Sequence, residues 1–507
     1  MQQTNQKIGR LIYQIRQERG LTQAGFARKL GTSQSAVNRI EHGRQNLSLE
    51  TLGRISDVLD KQIISLNTGA VNLRIEGGHR LHGEITLKTA KNSAVALLCA
   101  SLLNKGVTHL KNVPRIEEVN RIIEVLTSIG VNVRWSGTSD LEIRVPAQLE
   151  LDKMNKDSAR KTRTIIMVVG PLMHDLSKFK IPYAGGCELG RRTILPHIYA
   201  LQEFGAEIDA HDGYYNISVR RQQPRRPVVL YEASDTATEN ALMAAARFEG
   251  ETVIREASAN YMVQDLCYFL LKLGVKIEGI GTGVLRVRGV RSIKKNVTYS
   301  PTEDPVEAMT FIAAAVTTDS GITLRRVPID VLDLELLKLE KMGLRFELSA
   351  SYKAENGHSN LADIKIHQHH GKLRAPEEKL HPLPSSGINI DNLPYFVPIV
   401  AVARGRTLIH DWVYEVRALM YTEMKKIGVN LELADPHRVF IDGPTKWRSA
   451  DIVAPSGIRP AVMLLIGMLA APGVSILRNV YTINRGYEDL AERLNSLGAH
   501  IEVLHEV

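Results

Sequence analysis

Six times between residues 71 and 507 a helix-patterned segment ends at a glycine and the chain turns at once into an alternating strand. The copies are 122–133 around Gly130, 197–208 around Gly205, 266–277 around Gly274, 336–346 around Gly343, 421–431 around Gly428 and 490–503 around Gly498. A glycine just past a helix accepts the left-handed conformation that other residues resist, so each copy predicts a helix stop followed by a sheet strand. Upstream in each copy lies a second helix that is apolar on nearly every side: 92–103, 163–173, 239–248, 306–317, 393–402 and 459–470. Such a helix belongs in an interior. Six units, each with an inner helix and outer strands, predict an α/β protein whose main body is two domains of three units.

Residues 1–66 are a different kind of sequence. Ile8, Leu11, Ile12 and Ile15 have helical spacing; Thr22 can cap a second helix through Phe26, Ala27 and Leu30, which Gly31 ends. Ser33 caps a third, 34–42, with Val37 and Ile40 facing inward and Gln34, Ser35, Asn38 and Arg39 facing out. Two short helices joined by a glycine turn, the second presenting Gln, Ser, Asn and Arg, suit a DNA major groove. Gln23, Arg28 and Arg44 are expected at phosphates. The segment carries ten Lys/Arg against five Asp/Glu, over half of the chain's net charge of +9, which favours an anionic partner. Over residues 8–66 it resembles the Cro/repressor-type helix-turn-helix family, and modules of this type often bind DNA as dimers. A helical module serving only protein contacts is the alternative. A short linker, 65–70, follows.

The polar residues that interrupt the repeats cluster at helix starts and strand ends: Lys91 and Asn92, Arg163, the run Gly185-Gly186-Cys187-Glu188-Leu189-Gly190-Arg191-Arg192, Asp391, Arg417, Arg459 and Asn484-Arg485-Gly486-Tyr487. Helix starts favour anions through free N–H groups and the dipole. In the Cys187 run three glycines let backbone approach a ligand, and two guanidiniums favour thiolate; a glycine-rich turn holding a half-buried thiol is the plainer alternative. The three cysteines are far apart, without disulfide or zinc spacing, and Cys99 and Cys267 read as packing residues. No apolar run is long enough to cross a bilayer and no secretory signal opens the chain, so a cytoplasmic protein is expected, without membrane or metal.

With those motifs assembled, residues 71–507 resemble the enolpyruvyl transferase family, in the branch whose acceptor is UDP-N-acetylglucosamine in the first committed step of peptidoglycan synthesis. The resemblance rests on Ala90-Lys91-Asn92-Ser93-Ala94, Lys161-Thr162-Arg163, the Cys187 loop, Ala237-Thr238-Glu239-Asn240 and Asn484-Arg485-Gly486-Tyr487-Glu488. The sister branch of aromatic amino-acid synthesis has a Gly-Thr-Ala-x-Arg run that this chain lacks. The resemblance implies two inside-out α/β barrels, one of residues 71–89 plus 301–507 and one of 90–300, preceded by the small all-α domain 1–66. It implies transfer of the enolpyruvyl group of phosphoenolpyruvate, a co-substrate, to a hydroxyl, with no cofactor. Lys91, Arg192 and Arg485 are then expected to grip phosphoenolpyruvate, with Arg163, Arg417 and Arg459 around the cleft. Cys187 is the expected general acid and covalent site, Asp391 the base and Asn92 an acceptor contact. Asp391 could instead cap the helix starting near Leu393. His197 lines the cleft or is a satisfied structural histidine.

Three departures touch the acceptor. Arg192 is followed by Thr193, Ile194 and Leu195 where the family has a proline and then an aspartate near the nucleobase, and Glu232 and Thr236, with Asp235 between, stand where a lysine and a glycine usually neighbour the diphosphate. Acidic groups there would repel a diphosphate. A relative acting on another nucleotide-like alcohol therefore stays open. So does a transcription regulator that uses the large domain as a ligand sensor.

Overall fold

The computed structural model describes residues 9, 12–13, 15–17, 19, 21–43, 47, 51, 54–55, 58–59, 71–185, 193–382 and 387–505. Ile8, Leu11, Arg44, the 65–70 linker, Cys187 and Arg192 lie outside them. The chain divides into two compact units, residues 1–71 with 505–507, and 72–504.

In the small unit the side chain of Thr22 accepts the Gly25 N–H at the start of helix Gln23–Leu30, and Gly31 ends that helix at φ 68°. Ser33 does the same for Ala36 at the start of Gln34–Glu41. Ile12, Ile15, Phe26, Leu30, Val37, Ile40, Ile55 and Leu59 form its core. Arg16 and Glu41 pair inside it, their side chains 3% and 1% exposed.

The large unit repeats one wiring six times. In the first copy, Val107–Leu110 pairs antiparallel with Asp140–Arg144, which pairs antiparallel with Asn132–Ser136. The strand that follows the glycine is thus the outer one, and the last strand of the unit sits in the middle. Lys178–Pro182, Tyr214–Val219 and Ala206–His211 repeat this, as do Gly405–His410, Arg438–Gly443 and Asn430–Asp435. In the sixth copy the middle strand is Val71–Gly77, borrowed from the start of the unit to lie between Gly473–Arg478 and His500–His505. Short parallel strands, Val297–Tyr299, Val228–Val229, Glu84–Thr86 and Asp451–Val453, widen four of the sheets.

Three sheets use only residues 107–299, here the central half; three use 71–86 with 323–505, the terminal half. Each sheet of the described residues is open, with three or four strands on its path and, in one sheet, a fifth strand beside it. All six repeat glycines have left-handed backbone, φ 96°, 90°, 100°, 95°, 102° and 92° in chain order. In the terminal half Pro305–Thr317, Leu393–Val402 and Ile458–Ala470 pack pairwise against one another, and the first is buried at every residue. At roughly 1.5–3 kcal/mol for each large apolar side chain removed from water, these inner helices are the main source of cohesion.

One expected inner helix differs. Residues 163–173 form a 3₁₀ segment, Arg163–Val168, and one α turn, Val169–Leu172. The β-branched run Thr164, Ile165, Ile166, Val168, Val169, followed by Gly170 and Pro171, explains the tighter, broken geometry. Among the described residues no helix is long and apolar enough to cross a membrane.

Candidate functional site

The inner helices differ at their starts. Lys91–Ala100, Leu393–Val402 and Ile458–Ala470 begin at Ala90, Asn392 and Gly457 without a side-chain cap. Asp235–Ala245 and Pro305–Thr317 are capped by Ser234 and Asp304. Uncapped first turns leave N–H groups for an anion, whereas an acid in the first turn or at the cap already answers the dipole.

Lys91, at the first of the uncapped starts, points its Nζ at Glu118 Oε2, 2.8 Å away, with both side chains largely buried. Burial alone would raise the Glu118 carboxyl, but Lys91, Arg485 and Arg459 outweigh it and hold the group below the ordinary carboxylate range. Lys91 and Glu118 come from the central half, Arg459 and Arg485 from the terminal half, so the two halves meet in one cationic cluster. Beside it, Glu488 pairs with Lys88 and accepts the Arg115 N–H at 2.8 Å, and Tyr481 Oη reaches Glu117 at 3.1 Å. Asn92 follows Lys91, half-buried, on the same helix.

Asp391 stands two residues before Leu393–Val402 but does not cap it. Its Oδ2 lies 3.4 Å from Arg459 Nη2. Arg459 is 7% exposed and lies over the Tyr487 ring, whose hydroxyl joins Tyr395 and Thr310. This chain of hydroxyls fixes the aromatic floor under the guanidinium.

Cys187 and Arg192 belong to residues 186–192, outside the described residues, but Gly185 and Thr193 on either side are placed. A Cβ on Gly185 would stand 1.9 Å from the Arg160 carbonyl oxygen, so only glycine fits. At the other end Arg163 Nη2 donates to the Thr193 carbonyl at 3.2 Å. One short segment, Arg160 to Arg163, thus contacts both residues that flank 186–192.

One expectation is corrected, and two further residues are placed. Arg417, expected around the cleft, is 1% exposed, and its Nε and Nη2 donate to Asp411 at 2.6 and 2.8 Å, with Tyr421 on the same carboxylate. A buried ion pair of this kind is closed to a ligand. His197 is the satisfied structural histidine: 3% exposed, it meets Thr236 Oγ1 at 3.1 Å and Asn240 Nδ2 at 3.2 Å, and burial, then Arg163, pushes it down to about 3, leaving it neutral. Gln23, expected at a phosphate, donates its Nε2 to Glu41 at 2.7 Å inside the small unit. On the helix after it, Gln34, Ser35, Asn38 and Arg39 are all exposed on one face, with Arg39 donating to Ser35 at 3.1 Å.

The residue pattern missed Glu118, which reads as an ordinary first-turn acid, and the Tyr395–Thr310 support beneath Tyr487. Among the described residues, Glu76, His79 and His500 are the one group close enough to hold a metal ion, with ligand atoms within 4.8 Å. The two rings stack at 4.4 Å and 17°, so their lone pairs run side by side instead of converging. Cys99 and Cys267 are buried, as packing residues should be.

The fold is that of the enolpyruvyl transferases: the structure of the enolpyruvyl transferase NikO from Streptomyces tendae superposes with a TM-score of 0.75 at 23% identity, covering 87% of this chain and 100% of that one. EPSP synthase from Acinetobacter baumannii follows at 0.66 and 19%, covering 86% of this chain and 100% of its own. The chain belongs to the EPSP synthase (3-phosphoshikimate 1-carboxyvinyltransferase) family, whose model matches residues 75–494, and a helix-turn-helix model matches residues 12–66. Among its relatives are UDP-N-acetylglucosamine 1-carboxyvinyltransferase 1 of Symbiobacterium thermophilum, 32% identical over 84% of this chain and 94% of its own, and UDP-N-acetylglucosamine 1-carboxyvinyltransferase of Bradyrhizobium diazoefficiens, 32% identical over 85% and 98%.

Proposed function

We propose that the protein transfers the enolpyruvyl group of phosphoenolpyruvate to a hydroxyl of UDP-N-acetylglucosamine and releases phosphate, with a fused module that binds DNA. The observation that carries the reading is the meeting of Lys91, Arg459 and Arg485 between the two halves, with Asp391 held on Arg459. Such a cluster suits a substrate bearing both a carboxylate and a phosphate.

Lys91, Arg485 and Arg192 grip phosphoenolpyruvate, with Arg459 and Arg163 beside them. Asp391 takes the proton of the acceptor hydroxyl as its oxygen bonds to C2, and Cys187 gives a proton to C3, producing a tetrahedral ketal. Loss of a C3 proton and cleavage of the C2–O bond to phosphate then restore the methylene. Positioned acid and base groups of this type contribute about 10²- to 10⁴-fold each. Cys187 is also the covalent site for phosphoenolpyruvate, and Asn92 meets the acceptor. The halves, 71–89 with 301–507 and 90–300, act as two inside-out barrels around this site, in the cytoplasm. Gln34, Ser35, Asn38 and Arg39 read DNA, as a dimer on a two-part site.

A second acceptor is favoured by one observation: the start of helix Asp235–Ala245 carries the partly buried carboxylate of Asp235, with Glu232 exposed just before it. A hydroxyl suits that place better than a diphosphate. Phosphate release from phosphoenolpyruvate is measured with UDP-N-acetylglucosamine, then with UMP and simple alcohols. Turnover with the UDP-sugar supports the first reading; turnover only with another alcohol replaces it; none with any acceptor overturns both.

A further inference from the structure

Asp391 is not held only by its own half. Asn389 Oδ1 accepts the Asp391 N–H at 2.9 Å, while Asn389 Nδ2 donates to Asn260 Oδ1 at 3.4 Å, and Asn260 belongs to the central half. Asn260 Nδ2 in turn donates to Asp235 Oδ2 at 3.2 Å, and Ser258 Oγ donates to Asp235 Oδ1 at 2.5 Å. The direction of every link is determined. Asn260 Oδ1 must face the Tyr261 N–H, which it accepts at 2.9 Å, so its NH₂ must face the carboxylate of Asp235. Asn389 Oδ1 must face the Asp391 N–H, so its NH₂ must face Asn260. Backbone donors at both ends thus orient the two amides, and the relay has a single polarity. From behind, buried Glu335 accepts both the Asn389 N–H and Asn392 Nδ2 at 2.9 Å, fixing the same segment to the terminal half.

We propose that Asp235 and Asn260 are positioning residues for Asp391, acting from the central half through Asn389; the inference rests on Asp391 being the base that takes the acceptor proton. Without the relay, the segment that carries Asp391 loses this tie to the central half, while the Arg459 guanidinium, 3.4 Å away, still pulls on the carboxylate. Misplacement of a reacting group by about 1 Å can cost on the order of 100-fold in rate. Among the described residues, Lys91 and Arg485 make no hydrogen bond or ion pair with Asp235, Asn260 or Asn389, so the grip on phosphoenolpyruvate is expected to stand when the relay is cut.

The test uses the full-length protein, with phosphate release from phosphoenolpyruvate and the acceptor that turns over. Asn260→Ala is expected to lower kcat by about 10- to 100-fold with the KM for phosphoenolpyruvate unchanged. The exchange Asp235→Asn with Asn260→Asp rebuilds every link with donor and acceptor swapped: the new amide at 235 accepts from Ser258 and donates to the new carboxylate, which still accepts from Tyr261 and Asn389. It is expected to restore most of the lost kcat, which a merely structural role would not require. Wild-type kcat in Asn260→Ala, or failure of the exchange to rescue, overturns the relay. The underlying reading fails separately, if Asp391→Asn keeps its activity. Independently of any acceptor, Asn260→Ala and Asn389→Ala are expected to be non-additive in thermal unfolding, and strict additivity overturns the link between them.

Discussion

Replacing Asp411 by asparagine tests whether Arg417 is a strut or a ligand group. The Arg417 side chain is 1% exposed and that of Asp411 0%, and two guanidinium donors and the Tyr421 hydroxyl converge on the one carboxylate. Asp411→Asn leaves the guanidinium charged, since arginine does not release its proton, and buried without a counter-charge. Breaking a buried pair from one side costs about 3–5 kcal/mol. The unit spanning 72–504 unfolds with an entropy of roughly 2.1 cal/mol/K per residue, or about 0.9 kcal/mol/K in all, so the melting temperature should fall by about 3–6 °C. Differential scanning calorimetry reads this directly. The paired substitution Asp411→Leu with Arg417→Met, which removes both charges, should recover most of the loss. In steady-state assays both variants should keep the wild-type KM for phosphoenolpyruvate. An unchanged melting temperature in Asp411→Asn, together with a tenfold rise in that KM, would refute the argument and return Arg417 to the substrate.

Of the three thiols, only Cys187 should react with a thiol reagent in the native protein, because Cys99 and Cys267 are fully buried and burial raises their pKa away from thiolate. Fosfomycin should leave one adduct, on Cys187, and abolish turnover; two or more reactive native thiols would contradict the packing. Arg39→Ala and Gln34→Ala should abolish a DNA mobility shift without moving the melting temperature, whereas Ser33→Ala should cost the small unit about 1 kcal/mol through its lost cap. A shift indifferent to the first two would remove DNA reading from that face. Asp265, buried and accepting the Thr302 N–H and the Tyr299 hydroxyl, is pushed up to about 6 by burial. A folded value above the unfolded one means that the native state holds the proton longer. Its contribution is therefore present below the ordinary aspartate value and is lost as pH rises through about 6. The melting temperature of Asp265→Asn, relative to wild type, should thus rise between pH 4.5 and pH 7; a flat difference across that range would show that the group is not raised.

The repeats were legible because each is signalled locally. A glycine at a helix stop and a helix without a polar face say the same thing in every copy, and the caps Thr22 and Ser33 are read from their own four residues. The two- and three-residue strands Val228–Val229 and Glu84–Thr86 carry no periodicity, so the sheet edges were invisible. The candidate site was legible as residue types and not as pairings. Arg417 and Arg459 look alike in sequence, and only the fold gives one a buried carboxylate six residues away and the other Asp391, 68 residues away. The Asn260–Asn389 contact spans 129 positions with two of the least distinctive side chains, and nothing local announces it.

The strand Val71–Gly77 leaves the ribosome immediately after the small unit, but the strand it pairs with in register, Gly473–Arg478, is made some 400 residues later. At about 5–20 residues per second, that partner is absent for roughly 20–80 s of synthesis. The helices Gln23–Leu30 and Gln34–Glu41 and the sheets of residues 107–299 are complete within that interval, while the terminal half waits for Gly473–Arg478 and His500–His505. A nascent chain therefore presents its exposed Gln34–Arg39 face well before it can hold a substrate, and a truncated message yields the first property without the second.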